Sequence, residues 1–252
     1  MSLKVQGVGK RFYDKGRGEF YGCKDISFAV EPGEVFGLLG PNGAGKTTTL
    51  RVVSTIYAPT EGTAFINEID VSKDPQGARR HLGFLSSTSG LYERLTAREI
   101  LQYFGRLCDM KEELLNQRID MLLEALDFKQ YADTRVAKLS QGTRQKVSIA
   151  RSIIHDPLLI ILDEPSTGLD VLAASAMHEF VRQERQLGKC ILLSTHTMSE
   201  AEKLCDRIGV ISEGRLLAVG TVEELKELTG KANLEEAFVK LVRKSESLTN
   251  AQ

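Results

Sequence analysis

Apolar and polar positions divide the chain into stretches of different period. From Leu3 to Ile66 there are short β-type runs at Leu3 to Gly7, Ile26 to Val30, Val35 to Leu39 and Thr63 to Ile66, broken by Gly, Pro and Asp turns. One helix is expected among them, from about Lys46 to Tyr57, ending before Pro59 because the residue ahead of a proline is pushed out of the helical region. From Thr96 to Ile154 the period becomes helical. Thr96-Ala-Arg-Glu99 reads as a capping box, and apolar residues follow at 100, 101, 104 and 107. A second helix, about Glu112 to Leu126, gathers Leu115, Ile119, Leu122, Leu123 and Leu126 on one face, and Gln141 to Ile154 makes a third.

After Asp156-Pro157 strands and helices alternate: strand Leu158 to Leu162, helix Val171 to Leu187, strand Cys190 to Ser194, helix Ser199 to Cys205 and strand Ile208 to Ile211. Near-continuous apolar strands separated by helices predict a parallel sheet buried on both faces. Arg215 to Val219 reads as one further strand after the Glu213-Gly214 turn. A charged helical tail then begins at the capping box Thr221-Val-Glu-Glu224 and carries Leu234, Ala237, Phe238 and Leu241 on one face.

Bulk composition narrows the field. The 252 residues are 42% hydrophobic and 27% charged, with no Trp, which is ordinary folded-protein usage. A net charge of −1 supplies no general attraction to nucleic acid or to an anionic membrane, so no nucleic-acid partner is expected. Cys23, Cys108, Cys190 and Cys205 are scattered without a C-x-x-C pair and are expected to be buried free thiols in a reducing compartment. The longest wholly apolar run, Leu158 to Leu162, falls far short of a membrane span, and no signal segment is read at the start. The expectation is a cytosolic chain whose membrane role, if it has one, comes through a partner.

The chemistry is concentrated in two places. Gly40-Pro41-Asn42-Gly43-Ala44-Gly45-Lys46-Thr47 follows the strand Val35 to Leu39 and opens a helix, the order that a G-x-x-x-x-G-K-[ST] phosphate cradle requires. Its glycines let successive N–H groups face one anion, Lys46 supplies positive charge to the β and γ phosphates, and Thr47 offers a hydroxyl to Mg²⁺. A glycine-rich loop that merely caps a helix would not need this strand–loop–helix order. The second place is Leu158-Leu-Ile-Ile-Leu-Asp163-Glu164, a buried strand ending in two carboxylates that period-2 geometry would aim at opposite faces. At the carboxyl end of a parallel strand Asp163 would hold Mg²⁺, directly or through water, and Glu164 would polarise a water for attack. Cradle and carboxylates together point to phosphoryl transfer from a nucleoside triphosphate.

Between them, Lys138-Leu-Ser140-Gln141-Gly142-Thr143-Arg-Gln-Lys146 starts the third helix of the insert; taken alone, Ser140 is an N-cap. The order cradle, helical insert, Leu-Ser-x-Gly, Asp-Glu resembles the ATP-binding subunits of ABC transporters over nearly the whole chain. That resemblance implies an α/β fold: a P-loop NTPase core, mostly parallel sheet between helices, with an N-terminal antiparallel β subdomain and an inserted α-helical subdomain. In these terms residues 1–87 and 156–220 are β subdomain plus core, 88–155 the helical subdomain, and 221–252 a tail, all within one ATPase domain.

Residue by residue, the resemblance assigns Gly40 to Thr48 to the Walker A segment and Leu159 to Glu164 to Walker B, with Glu164 as the catalytic base. Ser166-Thr-Gly-Leu-Asp170 resembles the D-loop, and His196 the switch histidine facing the γ phosphate. Lys10-Arg-Phe12-Tyr13 resembles the A-loop, whose aromatic ring stacks on adenine. Phe12 fits that register slightly better than Tyr13, the stretch Asp14 to Glu19 is longer than usual, and edge-strand packing is an alternative for either ring. Ser140, Gln141, Gly142 and Thr143 stand where the family's Leu-Ser-Gly-Gly-Gln signature meets the ATP of a partner chain, and Ser87 stands where a glutamine is expected in the Q-loop. Cofactors implied are ATP and Mg²⁺. Partners implied are a second ATP-binding subunit, in a homodimer or heterodimer, and a multi-spanning membrane permease that would hold the chain on the inner face of the cell membrane. The tail, Glu213 to Thr221 followed by Leu234-Glu-Glu-Ala-Phe238, resembles the ABC-2 exporter class, most nearly its sodium-extrusion type. A soluble ABC ATPase or a nucleotide-dependent switch outside transport is the alternative.

Overall fold

A computed structural model describes residues 3–16, 18–86 and 90–249, with side chains through Ser245. Two sheets carry the fold. The larger has six strands in the order β10-β9-β3-β8-β7-β6. These are β3 (Val35–Leu39), β6 (Leu82–Ser86), β7 (Leu159–Asp163), β8 (Cys190–Thr195), β9 (Arg207–Ser212) and β10 (Arg215–Gly220). Every neighbour pair is parallel except the edge hairpin β9–β10. The smaller sheet, order β2-β1-β4-β5, is antiparallel and consists of β1 (Leu3–Asp14), β2 (Gly18–Val30), β4 (Glu61–Ile66) and β5 (Ile69–Asp70). Strands β1 and β2 pair antiparallel as far as Asp14 opposite Gly18, and both run well beyond the short apolar runs that marked them.

Helices fill the connections: α1 (Lys46–Val53), α2 (Pro75–Arg79), α3 (Ala97–Leu107), α4 (Glu112–Ala125), α5 (Gln141–Ile153), α6 (Val171–Gln186), α7 (Met198–Leu204), α8 (Val222–Thr229) and α9 (Leu234–Thr249). The predicted capping boxes at Thr96 and Thr221 both form, each hydroxyl accepting from the N–H three residues on while the glutamate reaches back. Helix α1 ends earlier than the Pro59 signal implies. Thr55 turns left-handed at φ 64°, and Ile56 and Tyr57 both donate back to Arg51 O, so Tyr57 leaves the helix.

The central parallel strands β3, β7 and β8 are buried from end to end, and their alternate residues feed different cores. Ile160, Leu162, Ile191 and Leu193 face a core completed by α3 to α6; Leu159, Ile161, Cys190 and Leu192 face one completed by α1 and the antiparallel sheet. Phe36 on β3 stacks on Phe28 of β2 at 4.7 Å and 5°, joining the two sheets. A third core, around Leu39, Val210, Leu225 and Leu234, seats the tail helices. Cys23 and Cys190 are buried and their thiols are pushed up by desolvation, but Cys108, at the end of α3, is exposed, against expectation. Among the described residues no helix is long and apolar enough to cross a membrane.

Candidate active site

The cradle sits at the carboxyl end of β3, a central strand of the parallel sheet. Two of its positions accept only glycine. A Cβ on Gly40 would lie 2.3 Å from Ile211 O, and Gly45, at φ 100°, would put one 2.5 Å from Gly22 O. The loop therefore lies directly against β9 and β2. Gly45 is also the N-cap of α1 and offers no side chain to cap it, which leaves the leading N–H groups of the helix for an anion.

Lys46 is 4% exposed. Its ammonium donates to Gly40 O at 2.8 Å and Pro41 O at 3.1 Å, and lies 3.3 Å from Glu164 Oε1. Thr47 Oγ1 donates to Asp163 Oδ1 at 3.1 Å, and Ser194 Oγ donates to the same oxygen at 2.7 Å. Glu164 does not follow the period-2 rule. It stands just past the last residue of β7 at φ 50°, where its N–H meets Ser194 O and Ser194 Oγ, both at 3.1 Å. The chain turns there, so Asp163 and Glu164 face the same cleft instead of opposite sides. Burial alone would raise the Glu164 carboxyl; the Lys46 ammonium and then His196 outweigh it and hold the group below its ordinary range. His196 Nδ1 lies 3.4 Å from Glu164 Oε2.

The cleft, about 850 Å³, is lined by Asn42, Gly43, Ala44, Gly45, Lys46, Thr47, Thr48, Asp163 and Glu164, and Phe12 also lines it. Phe12 is held by two rings: it stacks on Phe20 at 5.8 Å and meets Tyr57 edge-on at 5.6 Å. Tyr13, on the opposite side of the strand, is 74% exposed and does not line the cleft. Sequence reading passed over Phe20, Tyr57 and Ser194. Phe20 is reachable through the hairpin register, because it stands directly opposite Phe12, but Tyr57 and Ser194 had no local signal. Ser87 lies outside the described residues.

Thr47 and Asp163 offer a hydroxyl and a carboxylate side by side, hard oxygen donors suited to Mg²⁺. Among the described residues no group of three or more His, Cys, Asp or Glu side chains could hold a metal.

The signature residues stand elsewhere. Ser140 caps α5, accepting from Thr143 N–H at 3.2 Å, and its hydroxyl lies 2.9 Å from that of Thr143. Ser140, Gly142 and Thr143 line a separate groove with Asp170, which caps α6 through Ala173 N–H at 2.8 Å. Gln141 turns its amide toward Gly168 O of its own chain, at 3.2 Å. None of these four signature residues lines the phosphate cleft.

A lysine-bearing cradle at the end of a parallel strand, faced by an Asp–Glu pair, defines a P-loop nucleotide hydrolase. Residues 23–167 match the ABC transporter family model, and the chain belongs to that family. It is 40% identical to the ABC transporter ATP-binding protein NatA of Bacillus subtilis, over 93% of this chain and 96% of that protein. It is 40% identical to the Nod factor export ATP-binding protein I of Burkholderia lata, over 89% of this chain and 72% of that one. A solved dimeric ATP-binding cassette, in a post-hydrolysis state with ADP and Pi, matches with a TM-score of 0.78 at 25% identity, over 87% of this chain and 98% of that chain. The chain is an ABC ATPase.

Proposed function

We propose that this chain powers a membrane exporter by closing on a second ATP-binding subunit around ATP and reopening after hydrolysis. One observation carries the reading: the signature residues do not line the phosphate cleft of their own chain, so a nucleotide in that cleft meets a signature only if another chain brings one. The dimeric form of a related cassette supports it. The export direction rests on the Nod factor relative and on the tail resemblance to exporter-type subunits.

In this reading Lys46 exchanges the carbonyls of Gly40 and Pro41 for phosphate oxygens, which are stronger acceptors because they are charged. Thr47 and Asp163 would hold Mg²⁺, which would supply positive charge beside the phosphates. Phe12, backed by Phe20 and Tyr57, presents a ring for the base to stack on. Glu164, kept ionised, accepts a proton from the attacking water, and His196 holds the carboxylate and reaches the γ phosphate. A permease subunit supplies the membrane path and holds the ATPase at the membrane.

Glu164→Gln tests the dimer cycle. With Mg·ATP the variant should sediment as a dimer and without nucleotide as a monomer, because binding shifts the population and hydrolysis no longer resets it. A variant that binds Mg·ATP and stays monomeric contradicts the cycle. Co-purification with a multi-spanning membrane protein, and a turnover rate that responds to it, tests the transport role.

A further inference from the structure

The loop between Glu164 and Asp170 is gripped from two helices. From α5, Gln141 Nε2 donates to Gly168 O at 3.2 Å and Gln145 Nε2 to Pro165 O at 3.4 Å. These two residues are four apart, so they lie on one face of the helix. From α6, His178 Nε2 lies 3.5 Å from Ser166 Oγ and 3.3 Å from Glu200 Oε1, a residue of α7 just behind His196. Inside the loop, Thr167 Oγ1 donates to Glu164 Oε2 at 3.3 Å, the same oxygen that faces His196. A continuous path of contacts therefore runs, within one chain, from the first residue of α5 to the carboxylate.

The loop's own backbone adds two turns, Thr167 N–H to Glu164 O and Leu169 N–H to Ser166 O, both at 3.2 Å, so the two glutamines of α5 are its ties to the helical insert. Thr167 and Gly168 are exposed, and Gly168 is left-handed at φ 76°. A glycine at position 141, as in Leu-Ser-Gly-Gly-Gln, would have no amide to reach Gly168.

We propose that Gln141 is a positioning residue of the hydrolytic site. By tethering Gly168 of its own chain it sets the Thr167 hydroxyl against Glu164, and so makes the orientation of that carboxylate depend on where the helical insert sits. The departure from the family motif is thus a link between insert and catalytic centre. The inference rests on Glu164 being the hydrolytic carboxylate.

The test is steady-state ATPase kinetics on the full chain carrying Gln141→Glu, which keeps the side chain's size but replaces the donor with a carboxylate that repels Gly168 O. kcat should fall about three- to tenfold while KM for Mg·ATP moves less than about twofold, the pattern of a misplaced group and not of lost binding. Thr167→Val should lower kcat similarly, and the double variant should be no slower than the slower single one, because both break the same path. Gln141→Ala, which adds no charge, should reproduce the kcat loss. Thermal melting of each variant should match the parent. An unchanged kcat in both Gln141 variants, or losses that multiply in the double variant, overturns the tether. So does a Gln141→Glu change that abolishes ATP-driven dimerisation in a Glu164→Gln background, since the side chain would then act across the interface. Glu164→Gln alone separates the two levels: if it keeps turnover, the carboxylate assignment fails and the tether has no destination. If it is inactive while Gln141→Glu turns over normally, only the tether fails.

Discussion

Charged side chains gather at both ends of the parallel sheet. At the carboxyl end Lys46, Asp163, Glu164 and His196 meet. At the amino end Asp156, just ahead of β7, takes Arg118 of α4 at 3.1 Å and Lys189, just ahead of β8, at 2.8 Å, with His155 alongside. The partners differ in kind. Lys46 leans on carbonyls of a loop that borders an open cleft, where in the proposed function a phosphate would compete for the same ammonium. Asp156 joins the helical insert to the sheet, and Arg118 adds a bond to Ile153 O at 3.3 Å. Charge is exchangeable where the backbone loop opens on the cleft, and structural where an exposed carboxylate ties together two largely buried cations from separate segments.

Substitutions at the two ends should therefore separate catalysis from stability. The largest effect is expected for Glu164→Gln, with kcat lowered by about 10²- to 10⁴-fold, as for loss of a general base, and Mg·ATP affinity retained. Single-turnover kinetics and calorimetric titration check the two halves of that statement. Next comes Lys46→Met, which should weaken Mg·ATP binding by about ten- to a hundredfold, since a charge-assisted contact contributes roughly 1.5–3 kcal/mol. Its urea midpoint should stay close to that of the parent. A large loss of stability there would erase the contrast between the ends.

At the amino end, Asp156→Asn preserves a residue type that tolerates the left-handed conformation observed at φ 56°. It removes the charge shared by Arg118 and Lys189 and, because the Asp156 carboxylate is itself largely exposed, should cost about 0.5–1 kcal/mol in urea unfolding, with kcat unchanged. The smallest effect concerns His155. Burial lowers its pKa, partly offset by its bond to Leu82 O and by Asp156, while Arg118 and Lys189 lower it further. A base whose folded pKa lies below its unfolded value, about 6.5, favours folding above that pH. Its contribution is lost as pH falls through 6.5 toward the folded pKa. His155→Gln should therefore show a smaller drop in Tm between pH 7.5 and 5.5 than the parent; an equal or larger drop would break the assignment.

How much was legible in advance varies by residue. The cradle, the two capping boxes and the alternation of buried strands are local patterns, and each formed where its pattern stood. The end of α1 was misjudged because Pro59 is a weaker stop than the left-handed turn at Thr55, which has no signature in a β-branched residue. The strand rule failed at Glu164 for a similar reason: alternation applies only while the backbone stays extended, and φ 50° ends it. Phe12 and Tyr13 were indistinguishable by residue type, and the hairpin register separated them by setting Phe12 against Phe20.

The sequence alone determined the phosphate cradle and the acidic strand end, because each rests on residues close together in the chain whose chemistry is carried by type and spacing, and the order of such motifs along the chain carried the resemblance to ABC ATPases. Tertiary structure decided which groups those residues meet: Ser194 under Asp163, Phe20 and Tyr57 behind Phe12, and Gln141 on Gly168. Apart from Phe12 and Phe20, which meet across one hairpin, these contacts join segments distant along the chain, and their partners are selected by sheet order and helix packing, which no local pattern encodes.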